Sequence, residues 1–219
     1  MNRIIVVIFS AFIMSAASAQ TLAESGNTIK ELVPEGWEFT YATGDVFKHG
    51  REDLVIVATP NDPDNMTTRD DGYVYNFNQP LLGVYCVNND GEYVIYRQYD
   101  GVIPARTSEY VSMDVTVKIN SGVITFNVSS FASAGSYQTP SHDYVFRFQE
   151  DDIYLIGEEM ESFSRLTGEA EKTSINYLTR KQWISKYNML DEPSVNANKV
   201  WSKIPKRTLR RLGSFPLTN

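Results

Sequence analysis

The stretch "GDVFKHGREDLVIV" (residues 44–57) has the spacing of a cation-binding loop. In such a loop alternate side chains turn toward one centre, a glycine allows the sharp bend, and oxygen ligands suit a hard cation such as calcium. Counted from Asp45, ligand positions one, three, five and nine fall on Asp45, Phe47, His49 and Asp53, with Gly50 at the bend. Phe47 has no donor atom, and His49 offers an imidazole that calcium does not favour. The residues therefore point to a degenerate loop kept as a turn, shaped by Gly44 and Gly50, with Asp53 capping or pairing locally. Calcium held by Asp45 and Asp53 is the alternative reading.

Other catalytic groups are scarce. The chain holds two histidines, His49 and His142. His142 has Ser141 and Asp143 as immediate neighbours, but adjacent residues of an extended strand point to opposite faces, so these three cannot form a triad with one another. The sequence has no GxSxG, HExxH or Walker pattern. Its single cysteine, Cys86 in "LLGVYCV", cannot form an internal disulfide and reads as a small buried hydrophobe. Paired carboxylates are the one catalytic route left, because a glycosidase needs only two acids about 5–10 Å apart. Asp151, Asp152, Glu158, Glu159 and Glu161 are of the right type. The balance favours a non-catalytic protein, with a glycan-directed hydrolase as the alternative.

The elements that would position these residues are mostly strands. "LLGVYCVNNDGEYVIYRQY" is two β-rich runs joined by Asp-Gly, which supplies the positive φ of a tight hairpin turn. "DVTVKINSGVITFNVSS", "DYVFRFQEDDIYLIG" and "TSINYLTRKQWISK" repeat the arrangement. "EDLVIVA" is a continuous apolar run that suits a strand buried on both faces. "NTIKELVPEGW" reads as one short helical turn closed by Pro34 and Gly36. Consecutive hairpins with so little helix predict a mainly β fold, an antiparallel meander rolled into a sandwich or half-open barrel.

Residues 1–19 have the order of a signal peptide: Arg3, the apolar run "IIVVIFSAFIM", then small residues Ala17–Ala19. The run is shorter than the roughly 20 residues that span a bilayer, so no transmembrane segment is expected after its removal. The chain is thus expected to be exported, to the periplasm or beyond the cell. Residues 20–32 read as a polar leader with the short helix, and residues 33–215 as one β-rich domain.

Net charge is −7, and −8 without Arg3. Six basic residues and no acidic one follow Pro193, so the body from Gln20 to Glu192 carries −14 and the tail +6. Neutralising phosphates needs a basic face, so an acidic body argues against nucleic acid. Apolar Trp201, Ile204, Leu209 and Leu212 are interleaved with the tail's charges, which predicts that it packs back on the body. Residues 59–80 and 129–143 read as long polar loops, the first places to expect a binding site. "DGYVYNF" puts Tyr73, Tyr75 and Phe77 on one side of an extended stretch, either as core packing or as an exposed aromatic surface for an envelope protein or glycan.

The loop resembles the FG-GAP/VCBS-type calcium loop "GDxNxDGxxDLxxx". The mature chain is similar to a family of uncharacterised exported bacterial proteins with one such loop followed by a β-rich remainder. The blocks carrying the resemblance are "VPEGWEFTYATGDVFKHGREDLVIVA", "QPLLGVY", "YVFRFQEDDIYLIGEE", "TSINYLTRK" and "IPKRTLRRLGSF", spanning about residues 33 to 215. The resemblance implies a fold and a compartment but no activity. Its ligand positions fall on Asp45, Asp53 and the backbone carbonyl of Arg51. Phe47 and His49 depart from its pattern.

Overall fold

The computed structural model describes residues 21–191 and 198–218. The leader expected over residues 1–19 lies outside the described residues. Strand accounts for 53% of the chain and helix for 4%, so the fold is mainly β, and its sheets are antiparallel.

The strands are β1 (Ser25–Gly26), β2 (Glu38–Gly44), β3 (Asp53–Thr59), β4 (Met66–Thr68), β5 (Val74–Asn76), β6 (Leu81–Val87) and β7 (Tyr93–Tyr99). They continue as β8 (Val111–Asn120), β9 (Val123–Ala132), β10 (Gln138–Gln149), β11 (Asp152–Ser164), β12 (Glu169–Asn176), β13 (Lys181–Asn188) and β14 (Val200–Lys203). One sheet runs β1-β7-β6-β3-β2, a second β14-β13-β12-β11-β10-β9-β8, and β4 and β5 form a separate ribbon. All four hairpins expected from the sequence are present, as β6–β7, β8–β9, β10–β11 and β12–β13. Their turns hold the left-handed residues that the strand twist demands: Gly91 at φ +85°, Ser121 and Gly122 at +51° and +74°, Glu150 and Asp151 at +51° and +65°.

The main core lies between the sheets. Val55 and Val57 of β3 and Leu82 and Val84 of β6 meet Val117, Ile124, Phe126, Val128, Phe146, Ile153 and Leu155 of the seven-stranded sheet. The alternate residues of β3, Leu54, Ile56 and Ala58, point the other way into a second core with Leu22, Leu32, Val33 and Tyr85. Central strands covered on both faces have no polar side to show, hence the unbroken apolar runs of β3 and β6. The short helix α1 (Ile29–Leu32) provides that second cover, and Leu22 and Leu32 of the segment read as a polar leader are buried in it.

The basic tail lies on the body. Leu155 N–H donates to the Arg210 carbonyl and Leu212 N–H to that of Ile153. Leu212 and Leu217 are buried, while Trp201 is 61% exposed and does not anchor the tail. Arg210 reaches Glu158 at 2.7 Å and Arg211 reaches Asp152 at 3.6 Å, so part of the tail's charge pairs with the acidic body.

The two long loops are corrected by the structure. Residues 129–143 lie mostly in strand, since β9 continues to Ala132 and β10 starts at Gln138. Ser, Thr and Gln fill this end of the hairpin with no apolar alternation to reveal it. Residues 59–80 hold a 3-10 turn at Pro63–Asn65 and the β4–β5 ribbon, braced by side-chain amides within the segment: Asn76 Nδ2 donates to the Pro60 carbonyl and Asn78 Nδ2 to that of Asp62.

Candidate functional site

The 45–53 loop joins β2 to β3, and its polar groups turn inward onto one another. Lys48 at φ +60° and Gly50 at +79° fold it back on itself. Asp45 then accepts the N–H groups of His49 (2.8 Å) and Gly50 (3.0 Å) on its two oxygens. Asp53 is fully buried, and accepts from the N–H of Phe47 at 3.0 Å and of Val87 at 3.1 Å. His49 Nε2 lies 2.8 Å from Asp53 Oδ1. Arg51 N–H points at His49 Nδ1 (3.2 Å), so the ring proton sits on Nε2, which faces both Asp53 Oδ1 and Cys86 Sγ. The imidazole at loop position five thus places its own hydrogen where a cation would otherwise meet the carboxylate. Phe47 turns into the core against Tyr96 and Phe148, at 5.0 and 4.8 Å between ring centroids, and so ties the loop to both sheets.

Of the three positions considered for metal, Asp45 and Asp53 face this loop's backbone. Arg51 joins it through its own N–H and through Nε, which donates to the Val87 carbonyl at 3.1 Å. Sequence reasoning passed over Cys86, whose Sγ sits 3.3 Å from His49 Nε2. His49, Asp53 and Cys86 bring three donor atoms within 4.8 Å of one another, ligand types that zinc accepts. A metal on Nε2 needs that nitrogen bare and the other carrying hydrogen, however, and the Arg51 N–H directed at Nδ1 opposes that tautomer. Nor is the trio a catalytic relay, which needs one ring nitrogen for the nucleophile and the other for the acid, whereas Nε2 faces both. Burial, followed by the charge of Asp53, pushes the Cys86 thiol up from its ordinary value, which disfavours the thiolate a nucleophile requires.

The carboxylates suggested for catalysis are also occupied. Glu158, buried on β11, accepts from Tyr177 Oη and Arg210 Nη2 at 2.7 Å each. Burial and then the bond to Glu158 hold the Tyr177 hydroxyl well above its usual range. Glu159 and Glu161 flank Lys172 at 3.4 and 3.7 Å, and Asp152 lies between Arg97 at 3.4 Å and Arg211 at 3.6 Å. Cations thus neutralise four of the five acids. His142 stacks on Tyr144, its Nδ1 is 3.1 Å from the Thr218 carbonyl, and its Nε2 is buried without a hydrogen-bond partner.

A second site is built differently. A cleft of about 530 Å³ opens between β2 and β8, the outermost strands of the two sheets on one side of the molecule. Glu38, Phe39 and Thr40 form one wall and Ser112, Met113, Asp114 and Val115 the other, with Tyr73, Val74 and Asn76 of the ribbon also lining it. Phe39 is 44% and Tyr73 53% exposed. The carboxylates of Glu38 and Asp114 have no ion pair or hydrogen bond among the described residues. Of the aromatic trio read from the sequence, Tyr73 reaches the cleft. Tyr75 is buried against it and under Arg106, whose guanidinium lies 4.5 Å from the ring centroid, and Phe77 continues the row 6.3 Å behind. The sequence signal for the remainder of the cleft was faint: "EFTY" carries two aromatics on one face of a strand, but nothing local marks that strand as a sheet edge.

The chain matches no family model, no curated protein and no solved structure.

Proposed function

We propose that this is an exported, non-catalytic binding protein whose ligand, an envelope glycan or protein, lies in the cleft between β2 and β8. One observation carries the reading: this cleft, of ligand size, has half-exposed aromatic rings and two unpaired carboxylates in its walls. The other polar clusters are closed by their own hydrogen bonds. Phe39→Ala and Tyr73→Ala remove the ring surfaces while leaving the cores untouched, so each variant should melt like the parent and retain little of any envelope component that the parent captures. Capture undiminished by both changes would refute the cleft as the site.

Glu38 and Asp114 sharing one cleft favour a second reading, a glycan-directed hydrolase using that pair. Both are exposed, however, and the general acid of such an enzyme normally sits in apolar surroundings that keep it protonated. Hydrolysis of a polysaccharide panel that disappears in both Glu38→Gln and Asp114→Asn would establish it.

A further inference from the structure

Successive residues of a strand point to opposite faces. A cavity lined by three consecutive residues of β2 and four of β8 therefore takes in both sides of each strand, with Val57 and Thr59 of β3 also lining it. It meets both strands along their edges. Among the described residues β2 pairs only with β3, and β8 only with β9. Along the cleft, at residues 38–40 and 112–115, the outward N–H and C=O groups of both strands have no backbone partner among the described residues.

The strands run the same way and diverge. At their C-terminal ends they touch: a Cβ on Gly44 would lie 2.4 Å from Ile119 Cγ2, and one on Gly122 would lie 2.9 Å from the Asp45 carbonyl oxygen. At Glu38–Thr40 and Ser112–Val115 they have separated enough to hold the cleft. Two parallel edges opening into a wedge form a slot with donors and acceptors on both sides.

We infer that the ligand of the cleft is an extended polypeptide segment with a basic side chain, which enters as a strand between β2 and β8. The inference rests on the binding role proposed above and gives it a partner class. Because β2 and β8 are parallel, one segment can run antiparallel to both, the better hydrogen-bonding arrangement. Four residues at about 3.3 Å each match the length of the β8 wall. Their amides bond alternately to the two sides and turn the two sheets into one continuous sheet. This is strand addition at a sheet edge, made two-sided.

Charge selects the basic side chain. Glu38 and Asp114 flank the slot without a cation, whereas Arg106, the cation in its lining, is held by the carbonyls of Ser108 and Glu109 at 2.9 and 3.1 Å. A saccharide would use the ring faces of Phe39 and Tyr73 but would leave both rows of backbone groups unpaired.

The test is to pan the purified protein against a phage-displayed library of random dodecapeptides and, in parallel, against an array of bacterial polysaccharide fragments. Selected peptides should carry a lysine or arginine and weaken at least about tenfold toward the Glu38→Gln, Asp114→Asn double variant. N-methylation of any one of four successive central amides should weaken binding at least about fivefold, because every amide of an inserted strand is used. Sensitivity at alternate amides only would mean pairing with a single edge and would overturn insertion. Peptides indifferent to N-methylation, or saccharides bound with no peptide selected, would overturn the polypeptide inference; the cleft reading survives if Phe39→Ala and Tyr73→Ala abolish that binding. Selection of nothing, or of ligands indifferent to the cleft variants, would overturn both.

Discussion

The two ends of β2 treat polar groups in opposite ways. At its C-terminal end the 45–53 loop turns Asp45, Asp53 and His49 onto their neighbours, where six hydrogen bonds engage them. At its N-terminal end Glu38 and the strand's outer backbone face a cleft and bond to nothing across it among the described residues. The loop most like a ligand site is closed by its own residues, and the stretch without a motif is open.

The largest effect that would break this contrast belongs to Asp53. Asp53→Ala should orphan the N–H groups of Phe47 and Val87 and strip His49 of its carboxylate neighbour, at a cost of about 3 kcal/mol or more, seen as a melting drop of roughly 6–12 °C. A drop under about 2 °C would mean that the loop's interior is wet and the closure illusory. Gly44→Val, placed where β2 meets Ile119, should force the apex of the wedge apart at a cost of roughly 1–3 kcal/mol by urea unfolding. Calcium tests the closure directly. A site at 100 times its dissociation constant would add about 2.7 kcal/mol, a shift of roughly 5–11 °C at this size. Exchange of EDTA for excess calcium should instead move the melting point by less than about 1 °C.

Acid supplies a smaller effect away from both regions. Burial lowers the affinity of His142 for a proton, against the opposing pull of Glu158, the Thr218 carbonyl and Asp143. Its folded value therefore lies below the unfolded one near 6.5, and the unfolded chain takes up the proton first. The resulting stability is present above the unfolded value and is lost as the pH falls through the folded one. Melting points recorded between pH 7.5 and 5 should fall, and His142→Gln should flatten that fall; an identical slope in the variant would remove His142 as its source. The least effect on stability is expected from the Glu38→Gln, Asp114→Asn pair, within about 0.5 kcal/mol, since exposed carboxylates with no partners lose nothing on folding when neutralised.

The hairpins were legible because their signals are local. Asp90-Gly91, Ser121-Gly122 and Glu150–Asp151 state each turn, and alternation such as Val115, Val117, Ile119 states each face. The polar half of the β9–β10 hairpin was not legible, because strand pairing there is carried by backbone and by Asn127 bonded to Ser141 and Asp143, with no apolar face to show. Asp45 and Asp53 were recognised as loop residues from spacing alone. That His49 and Cys86 meet beside Asp53 could not be, since Cys86 comes from β6, 37 residues beyond His49. The cleft was the least legible feature of all: which strand becomes an edge depends on the order of the whole sheet, a property no short stretch contains.

The last residues of the chain close the main core. Leu217 is fully buried with its N–H on the Val102 carbonyl, and Tyr144 Oη donates to the Thr218 carbonyl 74 residues away at 2.6 Å while accepting the Thr218 N–H at 3.0 Å. The hairpins need only local contacts, but the space between the sheets is sealed by contacts 74 residues or more apart in sequence, and contacts at such separation are slow to form. Time spent waiting for that seal is time in which the free edges of β2 and β8 are most open to the wrong strand.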